Sequence, residues 1–215
     1  MSKFIKRCLT AFFLIILCIG LYSLPVIYSS LFIAALIIIM LTTEWPRIAQ
    51  RNKALWLLTP LYPILPSLIL IALNQDLLYR PLLGLALVLA ATHDTGSYVI
   101  GSIFGGHLIA PTISPLKTWE GFFGGVISTM IVFMAIIFYW RIAMPWYIFL
   151  VISCVCSVLA YFGDLFESWL KRKAGIKDSG VLLPGHGGIL DRIDSVLFVA
   201  TWLYLCRNYL RTLFT

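Results

Sequence analysis

Gly121 to Trp140, GFFGGVISTMIVFMAIIFYW, runs for twenty residues without a charged side chain. As an α-helix it rises about 30 Å, the thickness of a bilayer's hydrocarbon core. A helix at the surface of a soluble protein keeps a charged or strongly polar face, and this one has none, so it is read as a membrane span. Similar runs recur at Cys8 to Leu24, Val26 to Met40, Ala54 to Leu73, Leu82 to Ala91, Trp146 to Phe162 and Ser195 to Tyr209. Leu82 to Ala91 is short alone, but the apolar pattern resumes at Tyr98 to Phe104, so one helix is expected to carry Asp94 in or near the membrane. The chain is 61% hydrophobic and 12% charged over 215 residues, with a mean hydropathy of +0.97, values that exclude a soluble globular domain. The expected fold is all-α, a polytopic membrane helix bundle of about seven transmembrane helices forming a single domain over residues 1–215. Within it, 1–80 supplies N-terminal hydrophobic helices and 81–215 carries the chemistry.

Lys3, Lys6 and Arg7 precede the first run, yet no small-residue cleavage site follows and Pro25 leads straight into the second run, so the first helix is read as uncleaved. With seven spans and a cytoplasmic N-terminus, the inside segments hold Lys3, Lys6, Arg7, Arg47, Arg51, Lys53, Lys117, Lys171, Arg172, Lys173, Lys177 and Arg192, twelve of the sixteen basic residues. That asymmetry favours this orientation. Eight of the nine acidic residues, all but Asp76, fall on the same side, which no charge rule for insertion requires, so the cytoplasmic face is expected to be where the chemistry happens. The net charge of +7 is dispersed between spans and suits anionic headgroups; nucleic acid is not expected as a partner. The five cysteines, Cys8, Cys18, Cys154, Cys156 and Cys206, match neither a disulfide framework nor a zinc site and are read as packing residues.

Against this oily background Ser168 to Asp194, SWLKRKAGIKDSGVLLPGHGGILDRID, packs eleven polar or charged side chains and five glycines. Ionised groups in or beside hydrocarbon are costly, and a cluster of them marks a functional site by default. Just upstream, Asp164, then Glu167 or Ser168, then Lys171 share one helical face as an ion-binding stripe, or form an interhelical salt-bridge seam. The turn Pro184-Gly-His-Gly-Gly188 runs into a helix whose Asp191 and Asp194 lie three apart. Its glycines and the helix N-terminus suit phosphate, and the paired carboxylates suit Mg2+, although a plain interhelical turn is the alternative. His186 is read as contacting substrate. Asp94, with Thr95, Gly96 and Ser97, forms a further polar point within a span, while Lys117 and Thr118 stand before another, suited to phosphate oxygens or to interfacial anchoring. His93 and His107 are read as structural.

The chain resembles the phosphatidate cytidylyltransferases, also called CDP-diacylglycerol synthases. Their signature is matched by Ser168, Lys171, Arg172, Lys177, Asp178, Gly180, Leu183, Pro184, His186, Gly187, Gly188, Asp191, Arg192 and Asp194. It extends upstream through Gly163-Asp-Leu-x-Glu-Ser168, Ser114-Pro-x-Lys-Thr-Trp-Glu-Gly121 and Asp94-Thr-Gly-x-Tyr98, covering Leu82 to the C-terminus. The N-terminal third matches only in being hydrophobic, and the chain is short for the family, so fewer N-terminal spans are expected.

The resemblance implies condensation of CTP with phosphatidate in the membrane, giving CDP-diacylglycerol and pyrophosphate with Mg2+, alone or with a second cation. It implies a bacterial inner membrane or its organellar equivalents, with the active site toward the cytoplasm and a homodimer among the possible assemblies. Metal binding falls on Asp94, Asp164, Asp191 and Asp194, with Asp164, Asp191, Asp194 and Lys171 as the catalytic set. Substrate contacts fall on Lys117, Thr118, Ser168, Arg172, Lys177, His186, Gly187, Gly188 and Arg192. Two rival readings are a CTP-dependent transferase acting on another lipid phosphate or polyprenol, and a cation or lipid transporter built on the same buried carboxylates.

Overall fold

The computed structural model of the chain describes residues 16, 17, 19–50, 52–180, 182 and 187–214. Among them five helices are long and apolar enough to cross a membrane: α1 (Val26–Ala49), α2 (Lys53–Gln75), α3 (Arg80–Phe104), α4 (Trp119–Trp140) and α5 (Trp146–Lys173). A short antiparallel hairpin, β1 (Leu108–Ala110) with β2 (Ser114–Thr118), separates α3 from α4. Helices α6 (Leu190–Leu205) and α7 (Arg207–Phe214) close the chain. The all-α polytopic membrane fold is as expected. Of the seven expected spans, Cys8 to Leu24 falls largely outside the described residues. Ser195 to Tyr209 lies in α6 and α7, which meet at Cys206. The hairpin was not expected. It forms where Gly105 and Gly106 end α3 and where Pro111 and Pro115, which lack an N–H, prevent a new helix before Trp119.

The chain folds as two compact units, Met1–Arg80 with Leu170–Ile193, and Pro81–Trp169 with Asp194–Thr215. In the first, α1 widens into a π turn at Met40–Glu44 just before Pro46. Proline has no N–H to give the preceding turn and its ring crowds the carbonyl four residues back, so the helix loosens there. Thr42 and Thr43 donate their hydroxyls to the carbonyls of Ile38 and Ile39, both at 2.7 Å. Between α1 and α2 lies a buried polar knot: Asn74 donates to the hydroxyls of Ser29 at 2.9 Å and Ser30 at 2.8 Å, and accepts from Arg80 Nε at 3.2 Å. Such bonds hold apolar helices together where burial of hydrocarbon gives no preference for a neighbouring helix over lipid.

In the second unit, α3 and α4 approach through small residues. Gly96 faces Ser128, Gly124 faces Ile100 and Gly125 faces His93, with no room for an added Cβ at any of the three. The other side of α4 presents Ile127, Ile131, Met134 and Phe138, all exposed and spaced by three or four residues, a stripe suited to lipid. At 28 residues α5 is about 42 Å long, so its end can reach beyond the hydrocarbon while still helical. That end carries Asp164, Glu167, Ser168 and Lys171. Of the cysteines, Cys154, Cys156 and Cys206 are free thiols, and Cys8 and Cys18 lie outside the described residues.

Replacing Asn74 by Ala strips Ser29, Ser30 and Arg80 of a shared partner at once. The expected loss is about 1–3 kcal/mol of stability. Thermal unfolding in detergent checks it, and an unchanged midpoint would show the knot to be dispensable.

Candidate active site

In the second unit the hairpin, α3, α5 and the start of α6 supply an ionic cluster. Lys117 extends from β2 to Asp164 on α5, with Nζ 2.8 Å from Oδ2. On its way the ammonium lies 4.4 Å from the centroid of the Tyr161 ring, whose face favours a cation. The other oxygen of Asp164 faces the Ser168 hydroxyl at 3.4 Å, a long hydrogen bond one helical turn away. On α3, Asp94 is exposed and accepts from the Ser195 hydroxyl at 3.3 Å. Asp194 is only 5% exposed. The carboxylates of Asp164, Glu167 and Asp94 are the like charges acting on it.

Helix α6 comes in close because Gly163 has no side chain: a Cβ there would stand 2.6 Å from the Asp194 carbonyl oxygen. A cavity of about 200 Å³ opens among His93, Asp94, Lys117, Thr118, Tyr161 and Asp164. Thr118 also accepts from the Gly121 amide at 3.1 Å, capping α4.

Crowded carboxylates repel unless a cation or a proton lies among them, and an all-oxygen donor set suits a hard divalent ion. Among the described residues no three His, Cys, Asp or Glu side chains converge as a preformed cage.

In the first unit, Lys171 and Asp191 form a second ion pair, Nζ to Oδ1 at 2.6 Å, with side chains 12% and 6% exposed. The other oxygen of Asp191 accepts from the Gly188 amide at 2.7 Å and from the amide and hydroxyl of Ser179 at 3.0 and 2.9 Å. Gly187 adopts φ +81°, a conformation that favours glycine, and an added Cβ would run into the Asp191 carboxylate. Arg172 donates to the Ile176 carbonyl at 3.3 Å. Arg172, Lys177 and Arg192 are exposed. His186 lies outside the described residues.

The structure thus brings Asp94, Lys117, Thr118, Asp164, Ser168 and Asp194 together in one unit, and Lys171, Gly187, Gly188 and Asp191 in the other. Sequence reasoning passed over three participants. Tyr161 looks like one more aromatic in an apolar run. Ser179 looks like loop. Glu44, 1% exposed, accepts the amides of Ile189 and Leu190 at 2.7 and 2.9 Å. Its only sequence signal is an acid, three residues before Arg47, in the last turns of a run with no other charge.

Helices of membrane length bearing charged side chains in part-buried ion pairs define an integral membrane protein with a polar site. The model of the cytidylyltransferase family matches residues 9–210, nearly the whole chain, and the chain belongs to that family. Among curated relatives it is similar to the phosphatidate cytidylyltransferase of Staphylococcus haemolyticus (strain JCSC1435), 47% identical over 106 residues. It is likewise similar to that of Staphylococcus aureus (strain COL), 48% identical over 106 residues. Each match covers 49% of this chain and 41% of the relative, less than half the length of either.

Gly163→Ala puts a methyl group against the Asp194 carbonyl and forces α5 from α6. An overpacking cost of about 1–3 kcal/mol is expected in thermal unfolding.

Proposed function

We propose that this protein is an integral-membrane nucleotidyltransferase of phospholipid biosynthesis that converts CTP and phosphatidate to CDP-diacylglycerol and pyrophosphate. The observation that carries the reading is the 2.8 Å pair of Lys117, on the hairpin, with Asp164 on α5, beside Asp94 on α3 and Asp194 on α6. It is supported by the two staphylococcal relatives, both phosphatidate cytidylyltransferases by name. The site is assigned to the cytoplasmic side of a bacterial inner membrane, where CTP is soluble and phosphatidate is held in the leaflet.

The phosphate monoester of phosphatidate is anionic and nucleophilic at neutral pH, so no side chain needs to remove a proton. One of its oxygens bonds to the α-phosphorus of CTP, the bond to the bridging oxygen toward the β-phosphorus breaks, and pyrophosphate departs with that electron pair. The difficulty is bringing two polyanions together. Lys117 meets phosphate at the cavity of the second unit, with Tyr161 beneath its ammonium restricting its position. Lys171, Arg172, Lys177 and Arg192 are the further cations that the family resemblance assigns to the anionic substrates. Asp94, Asp164 and Asp194 are the residues that would hold Mg2+, which when bound supplies Lewis-acid neutralisation of phosphate oxygens. Asp191, which the family resemblance groups with them, has Lys171 against it at 2.6 Å, as Asp164 has Lys117 at 2.8 Å, so a cation arriving at either carboxylate has an ammonium to displace.

Purified protein in phosphatidate-containing micelles, given labelled CTP and Mg2+, is expected to form CDP-diacylglycerol. Activity should vanish with EDTA, return with Mg2+, and favour CTP over the other nucleoside triphosphates. Absence of product from folded protein overturns the reading, and product from a polyprenyl phosphate but not from phosphatidate replaces the lipid substrate. Asp194→Asn is expected to abolish turnover with little loss of folded protein; a near-normal rate removes Asp194 from the metal set. Lys117→Ala is expected to lower kcat/KM by about 100-fold or more, the scale of losing one charge-stabilising donor.

A further inference from the structure

We infer that Glu44 is a positioning residue: with Ser179 it clamps the backbone of Gly188, Ile189 and Leu190 at the start of α6, and through that backbone it holds Asp191 against Lys171. The inference rests on the proposed function for what the clamp serves, and on contacts within the first unit for its existence.

Glu44 stands at the end of the π turn of α1, 1% exposed. A buried carboxylate is costly unless nearly every lone pair is used. Here Oε1 accepts from the Ile189 amide at 2.7 Å, and Oε2 from the Leu190 amide at 2.9 Å and the Ser179 hydroxyl at 3.1 Å. Amides at the start of a helix have no intrahelical acceptor and carry partial positive charge, so they meet a carboxylate better than any other backbone groups. The seat is also shaped for it. A Cβ on Gly180 would lie 2.9 Å, and one on Gly188 2.6 Å, from the same Glu44 oxygen. Neither glycine can be replaced without moving the acid.

Ser179 joins this carboxylate to the next. Its side chain is fully buried, and its single hydroxyl lies 3.1 Å from Glu44 Oε2 and 2.9 Å from Asp191 Oδ2. One proton serves two acceptors, so a shift of either carboxylate is felt by the other. The amides of Gly188, Ile189 and Leu190, the groups that a phosphate-cradling turn would offer, therefore serve Asp191 and Glu44. What the clamp fixes is Asp191, and with it the ammonium of Lys171.

The test uses Glu44→Gln, Ser179→Ala and the double variant of the full chain. Gln keeps the shape but puts an NH2 where one of two backbone donors points. Expected are a kcat at least 10-fold lower with KM for CTP within about 2-fold, and amide hydrogen exchange at Ile189 and Leu190 at least 10-fold faster. Ser179→Ala should lower kcat at least 5-fold. The double variant should be no slower than Glu44→Gln, since both act through one link. Multiplicative losses indicate general weakening and overturn the inference, as does unchanged exchange or unchanged kcat in Glu44→Gln. If Glu44→Gln does not fold, Ser179→Ala decides: a rate within 2-fold of the parent overturns the clamp. Inactive parent protein defeats the proposed function instead, and the exchange measurement then still decides the clamp.

Discussion

Placing carboxylates in a chain made for hydrocarbon is the constraint on which this structure depends. An isolated buried carboxylate costs several kcal/mol, and the protein holds a group of them near the ends of its helices. Each therefore has to be met by a cation, a hydrogen-bond donor or a proton, and the local architecture follows from how that is done. In the second unit Lys117 crosses from a β-hairpin to Asp164. In the first unit Lys171 meets Asp191, while Glu44 is met by backbone amides and a hydroxyl, with no side-chain cation in contact through those bonds.

Glycine makes both solutions possible for the same reason. Where a polar group must be fully desolvated, its partners have to come within bonding distance, and a side chain in the way prevents it. Gly163 lets the start of α6 press on α5, and Gly180 and Gly188 leave a seat for Glu44. The glycine turn thus has two physical roles, a backbone bend at Gly187 and the close approach of a carboxylate at Gly188. The second is invisible unless the carboxylate's identity is known.

Much of the fold was legible because hydrophobic length is a local property. Runs such as Gly121 to Trp140 specify a span by composition alone, since lipid leaves a helix as the cheapest way to satisfy the backbone. The hairpin at Leu108–Thr118 was not legible. It is too short for a period-2 pattern, and it is specified mainly by what prolines and glycines forbid. The break at Cys206 had no breaker residue to announce it. Asp94, Lys117, Asp164, Lys171, Asp191 and Asp194 were legible as site candidates because charge is conspicuous in an oily chain.

Composition and order of residues are enough to put the chain in a membrane, to gather its charges in a few segments, and to give those segments the pattern of the cytidylyltransferase family. Composition and spacing suffice for these, because each is decided over a few turns of helix. Only the tertiary structure decided which charge faces which. Lys117 is 47 residues from Asp164, and Glu44 is 145 from Ile189, so nothing in the local pattern could pair them. Electrostatic and hydrogen-bond energies depend on separations of a few ångströms, and in a folded chain those separations are set by packing, whatever the distance along the sequence.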